Sequence, residues 1–325
     1  MSSFDASRPN RGGNVVLEDL MLPRRSFKKL LRNQSMLLLM SIPFLVHLLI
    51  FRYGPIFGWV MAFQSFRPGR GFLDQEWVGL LQFRTLFAEP RFWQVLRNTL
   101  AMSAIKLIMG TSFAILVAIF INETRHRPFK RTVQTISYLP HFISWVVAAN
   151  LVLEVLSPRG VFNELLMALR IIDAPVLWMG REHLFWWVIG WSHVWKTAGF
   201  GAIIYLAAMT GIDPQLYEAA DIDGAGRLQR IWHITLPGIK PVFVILMILN
   251  LGQLMEAGFE QQYLLQNSLV MEYSEVFTIF VLRYGLRLMR YSFAAAAGIF
   301  QSVVSIILVV LANALAKRMG QETLM

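Results

Sequence analysis

What most constrains this chain is a set of apolar runs too long and too frequent for a soluble domain. They fall at about 35–63, 98–121, 133–156, 184–209, 241–258 and 293–316. A helix needs about 20 mostly apolar residues to cross the hydrocarbon core of a bilayer, and these runs reach or approach that length. Composition agrees: 56% of the 325 residues are hydrophobic and the mean hydropathy is +0.51, outside the ordinary soluble range. The expected fold is therefore all-α, a polytopic membrane protein of six transmembrane helices over 35–318. Pro43 and Gly54-Pro55 are expected to kink the first span. Residues 1–34 read as a polar, partly disordered tail, and 319–325 as a second short tail. No small-x-small cleavage site follows the first run, so an uncleaved span is expected there.

Charge orients the bundle. Lys and Arg concentrate on the cytoplasmic side of membrane proteins. The collar Arg24, Arg25, Lys28, Lys29, Arg32 and the cluster Arg125, Arg127, Lys130, Arg131 are the densest basic sites. Both fall on the side that also carries the interruption at 211–240. The connectors at 64–97, 157–183 and 259–292 fall on the other side, where basic residues mix with acidic ones. Both termini are thus expected in the cytoplasm of a bacterial plasma membrane. The net charge of +10 is accounted for by this bias, with no nucleic-acid partner.

The interruption itself has internal order. Asp213 suits an N-cap and Pro214 the first turn of a helix. Gln215 to Ile222 supply about two turns, and Gly224 with Gly226 form an elbow that only glycine makes easily. A second short helix is expected from Arg227 until Pro237 interrupts it. The result is a compact knob. Its residues Tyr217-Glu-Ala-Ala-Asp-Ile-Asp-Gly-Ala-Gly226, followed by Ile234-Thr-Leu-Pro237, resemble the cytoplasmic loop of ABC importer permeases. Similarity continues through Arg131 to Trp145 and Leu311 to Arg318, and is nearest to permeases for complex or oligomeric carbohydrates. One departure stands out: Ile231 occupies a place where many relatives have an aromatic residue, with Trp232 directly after it.

The resemblance implies a coupling helix at 211–237 that docks on a separate ATP-hydrolysing subunit through Glu218, Ala219, Ala220, Asp223, Gly224 and Ala225. It also implies two such ATP-binding subunits, a second permease subunit (a paralogue is expected), an extracytoplasmic solute-binding protein and an oligosaccharide substrate. ATP would be bound by the partners, leaving this chain without a cofactor. The residues agree. There is no Gly-x-x-x-x-Gly-Lys-Ser/Thr phosphate loop, no metal-ligand spacing among the six histidines, and no cysteine for a nucleophile. The chain is not expected to be an enzyme.

Polar residues inside spans are costly and so carry information. Asn250, Gln253 and Glu256 share one helical face with Glu260, and Gln301 lies on another span with Ser302 and Ser305. His193 and Lys196 stand beside a ladder of Trp187, Trp191 and Trp195. Asn150 and Glu154 come from the third run and Lys106 from the second. Together they suggest a polar passage, with indole faces for pyranose C–H groups. Helix-to-helix hydrogen bonding is the competing explanation. Lys106 and Lys196 fit either an acidic sugar or neutralisation of Glu154 or Glu256, and both readings stand. The functional expectation is inward transport of an oligosaccharide or polysaccharide fragment by alternating access. An ABC permease for a non-sugar solute and a stand-alone secondary transporter with broken helices are the alternatives.

Overall fold

The computed structural model describes residues 35–318; both expected tails, 1–34 and 319–325, lie outside the described residues. The chain divides into two units, the first ending at Gly58 and the second beginning at Trp59. In the first unit, α1 (Ser35–Leu48) contains Pro43 and passes into a π turn at Leu49–Tyr53. A 3-10 stretch then runs over Gly54–Phe63. Of the expected kink sites, Pro43 lies inside α1 with no change of helix type, whereas Gly54-Pro55 falls where the π turn passes into the 3-10 stretch.

In the second unit, a two-stranded antiparallel ribbon pairs β1 (Gln64–Ser65) with β2 (Glu76–Trp77). Gln75 organises the loop between them. Its Oε1 accepts from Arg67 N at 2.8 Å, while Nε2 donates to the carbonyls of Arg67, Arg70 and Gly71. After α2 (Leu81–Ala88) comes the longest helix, α3 (Pro90–Glu123), which Pro90 starts at its first turn. Next are α4 (Arg127–Phe142), α5 (Trp145–Val155), α6 (Val161–Ala168) and α7 (Glu182–Thr210). The knob holds α8 (Pro214–Ile222) and α9 (Arg227–Arg230), and α10 (Leu236–Gly252) leaves it. Short helices α11 (Phe259–Leu265), α12 (Met271–Ser274) and α13 (Phe277–Leu282) precede α14 (Tyr291–Arg318).

The all-α membrane architecture matches expectation, while its spans differ in detail. Four helical runs are long and apolar enough to cross a bilayer: Ser35–Phe63, Pro90–Glu123, Arg227–Gly252 and Tyr291–Arg318. A fifth exists if α4 and α5 count as one. That third run is not a straight helix over 133–156. It bends by 103° between Phe142 and Trp145. Pro140 removes a backbone donor in the last turn of α4, and Ser144 caps α5 by accepting from Val147 N at 3.3 Å. The α7 helix is 29 residues long, enough to span, but Ser192, His193 and Lys196 dilute its apolar character. Pro237 also behaves differently from expectation. The helix continues from Arg227 to Gly252 through a π turn at Ile231–Thr235, with Pro237 at the start of α10. A widened turn removes the clash that proline imposes on a regular helix.

Packing centres on α3 against α7. Ala114 and Ala118 meet Ala202, Tyr205 and Met209 towards the knob end. Met102 joins Phe185 and Ile189 towards the other end. A separate cluster of Phe92, Phe277, Phe280 and Phe293 joins α3, α13 and α14.

Candidate functional site

The knob is built locally. Asp213 accepts from Gln215 N at 2.9 Å, so α8 starts with the cap its sequence specifies. It ends in a Schellman arrangement: Ala225 N donates to Ala220 O at 2.9 Å and Gly224 N to Asp221 O at 3.2 Å. Gly224 has φ +72°, a backbone region in which a Cβ is strained. Arg230 pairs with Asp221 across the elbow, and Gly226 N donates to Gln229 Oε1 at 2.7 Å. Glu218, Ala219, Asp223 and Gly224 are exposed, while Ala220 and Ala225 are half-buried. Ala220, Asp223, Gly224 and Ala225 line a recess of about 320 Å³ with Gln229, Arg230 and His233. Beside it Ile222 is 86%, Leu228 82% and Trp232 69% exposed. Such a concentration of bare apolar side chains on a small polar element marks an interaction face.

Further along the same helices lies a polar cavity of about 440 Å³ among α3, α7 and α10, beginning at Ala114 and Tyr205 and ending at the turn after α10. His193, Asn250, Gln253 and Glu256 all line it, as does Lys106. The remaining passage candidates lie elsewhere. Trp191 and Trp195 line an apolar groove of about 690 Å³ with Trp187, Leu151 and Val155. Asn150 and Glu154 sit on the exposed side of α5, and the Asn150 amide donates to Val146 O in its own helix. Gln301 Nε2 reaches Met255 O at 3.4 Å, supporting the turn after α10. Lys196 donates to His141 O at 2.9 Å and Pro140 O at 3.5 Å, and its ammonium stands over the Trp145 ring. It therefore holds the negative end of α4 at the break.

Comparison with known proteins identifies the chain. Residues 110–321 match the family described as "Binding-protein-dependent transport system inner membrane component". The chain is a permease of that family. It is 44% identical over 291 residues to the polygalacturonan/rhamnogalacturonan transport system permease protein YteP of Bacillus subtilis, covering 89% of this chain and 90% of that one. Protein LplB of the same organism is 38% identical over 300 residues, covering 92% and 94%. A solved bacterial alginate ABC transporter, in complex with an alginate pentasaccharide-bound periplasmic protein, contains a chain 38% identical to this one. That match has a TM-score of 0.84 and covers 92% of the present chain and 99% of that chain.

The permease is thus a multi-pass inner-membrane component of a binding-protein-dependent ABC system and a transport protein, not an enzyme. Both breaks, at Ile143-Ser144 and at 253–258, would by themselves have suited a secondary transporter. Family membership decides against that.

Several cavity residues of the permease escaped the sequence reading: Ser103, Thr111, Thr197 and Tyr205. Hydroxyl residues in an apolar helix blend into its hydropathy, so only the i, i+3 spacing of Ser103 and Lys106 offered any signal. Lys106 and Lys196 both satisfy their charge on backbone carbonyls. Among the described residues the ion pairs are Arg230–Asp221 and Arg283–Glu275, so neither lysine pairs with Glu154 or Glu256. Of the two readings left open by sequence, neutralisation of Glu154 or Glu256 is not among these ion pairs.

Proposed function

We infer that this permease forms one half of a pore that imports an oligosaccharide or polysaccharide fragment, driven by ATP hydrolysis on separate subunits. The observation that carries this reading is the joint placement of knob and cavity. Helices α7 and α10 both run from the knob to the polar cavity, so displacement of one end moves the walls of the other. Glu218, Ala219, Ala220, Asp223, Gly224 and Ala225 would contact one of two ATP-binding subunits. Ile222 and Leu228 add apolar area, whose burial contributes about 1.5–3 kcal/mol per side chain. This places the knob and both termini in the cytoplasm, in accord with the basic clusters, and counts α7 and the bent α4–α5 pair as spans to make six.

The cavity supplies amide, carboxylate, imidazole and hydroxyl groups in an otherwise apolar wall, the mixture that hydroxyl-rich substrates require. His193, Asn250, Gln253 and Glu256 are the proposed contacts. Relatives named for polygalacturonan, rhamnogalacturonan and alginate support a saccharide, and make acidic oligosaccharides the first class to examine. A second permease, a paralogue, would complete the pore. A solute-binding protein would deliver substrate to the opposite face, and this chain would need no cofactor of its own.

The test is uptake of labelled oligouronates and size-matched neutral oligosaccharides by cells expressing the complete importer. Uptake that depends on the ATP-binding subunits and fails with Glu218→Ala supports the reading. Uptake by the permease alone, without any ATPase, would overturn it.

A further inference from the structure

The cavity is closed at the end remote from the knob by a turn that sits deep in the bundle. Helix α10 stops at Gly252, and the chain reverses through Gln253–Gly258 before α11. Lys106 lies 17 residues along α3 from Glu123, about 26 Å at 1.5 Å per residue, so this non-helical backbone is within the membrane. Such backbone persists at that depth only when its polar groups are satisfied by protein.

Here three successive carbonyls are each reached by a side chain from elsewhere. Met255 O accepts from Gln301 of α14 at 3.4 Å, and Glu256 O from Thr278 of α13 at 3.4 Å. Ala257 O accepts from Lys106 of α3. The turn needs holding, because Ala257 and Gly258 are both left-handed, with φ +50° and +72°. A Cβ on Gly258 would stand 2.7 Å from Lys106 Nζ, so the lysine fills the space that glycine leaves.

Lys106 does more than cap. Its Nζ lies 3.4 Å from Gln261 Oε1, and Gln261 Nε2 donates to Ile189 O and Ser192 Oγ, each at 2.9 Å. Gln261 and Lys106 are both buried. The ammonium therefore ties three elements together at one point: α3, α7 through Gln261, and the turn after α10. The turn belongs to the chain that leaves the knob by α10, whereas α7 enters the knob. Any motion that separates these two helices at this end must break the lysine's contacts.

We propose that Lys106 is a positioning residue for transport, the pin that keeps the remote end of the cavity shut until α10 moves relative to α3 and α7. This rests on the inferred pore role of the cavity but not on the identity of its substrate. The ammonium is used as a reversible link: it donates to a carbonyl and an amide oxygen, and among the described residues no carboxylate lies within 4 Å to hold it permanently.

The chain lacks cysteine, so a single Gln253→Cys reporter in the exposed cavity wall can be read with a membrane-impermeant maleimide added outside intact, energy-depleted cells expressing the whole importer. Adding Lys106→Met removes the pin, and the labelling rate should rise about tenfold or more, the scale set by loss of a charge-assisted hydrogen bond. Gln261→Leu removes the donor that links the pin to α7 and should also speed labelling several-fold. In energised cells whose ATP-binding subunits bind but do not hydrolyse ATP, α10 has moved and the pin is already broken, so parent and Lys106→Met should label at the same rate. That convergence separates a pin from a merely structural lysine, whose loss would speed labelling in both states. Equal rates in energy-depleted cells, or a difference that persists in the ATP-bound state, overturn the proposal. If Lys106→Met does not reach the membrane, Gln261→Leu decides in its place. Failure of the sugar assignment leaves this contrast intact, because no substrate is added.

Discussion

The hydroxyl of Tyr217 lies 3.0 Å from Thr235 Oγ1, bridging α8 of the knob to the π turn that begins the Arg227–Gly252 helix. Thr235 is buried and Tyr217 half-buried, so water competes poorly for the bond. The knob is consequently not a flexible appendage. On the proposed coupling role, a push on α8 would reach α10 through this contact, and through Gly238, whose backbone lies against the Ile212 side chain. Tyr217→Phe keeps the ring and removes the bond, a loss of about 0.5–1.5 kcal/mol. Transport should fall while ATP hydrolysis by the assembled importer persists, which simultaneous uptake and phosphate-release assays would register. Unchanged stoichiometry would show that the bond does not transmit force.

Glu218 and Gly224 should fail for different reasons. Glu218 is exposed and makes no side-chain hydrogen bond or ion pair among the described residues, so Glu218→Ala should leave the melting temperature of the purified permease unchanged and weaken docking of the ATPase. Gly224→Ala forces a Cβ into φ +72° at a cost of about 1 kcal/mol, loosening the Schellman turn. Thermal melting paired with co-purification of the ATP-binding subunit separates the two. A Glu218→Ala protein that melts early would recast that carboxylate as structural.

Much of the knob was legible in sequence because its determinants are local: Asp213 before Pro214, glycine at the elbow, and a cap spaced to suit. The long helices were legible for the same reason, since hydropathy is a property of a continuous run. The breaks at Ile143-Ser144 and Gln253–Gly258 were not, although Pro140 and Ser144 are standard stop and start signals. Apolar residues continue across both points, and what stabilises each break is a lysine from a distant helix. Polar residues were found in sequence, but their facing was not. His193 reaches the cavity while Trp191 and Trp195, two residues either side on the same helix, face a groove on nearly the opposite side, about 160° away around the helix. A stripe is defined by its neighbours as much as by its period.

Those two faces of α7 give a discriminating experiment. His193→Ala and Asn250→Ala alter the cavity wall and should raise the substrate concentration for half-maximal uptake by about tenfold, the loss of one or two polar contacts. Trp191→Leu keeps an apolar side chain in the groove and should leave that concentration within about twofold, less than a single hydrogen bond contributes. Uptake kinetics in whole cells suffice. The reverse pattern would assign sugar stacking to the tryptophan ladder and remove the cavity from the path.

The connector after the pore turn offers a pH test that is independent of transport. Glu275 is 2% exposed and lies 2.9 Å from Arg283. Burial raises its pKa above the ordinary carboxylate value, and the positive charges of Arg283 and Arg91 recover only part of the shift. A carboxyl whose folded pKa is raised favours the fold when protonated. That contribution is complete below the unfolded pKa and disappears as pH rises through the folded one. Melting temperature should therefore decline with rising pH across the interval between ordinary and raised values. Glu275→Gln, which stays neutral at every pH, should flatten this part of the profile and melt higher than the parent above it. A variant that melts lower at every pH would mean that the ion pair with Arg283 outweighs the burial of its charges.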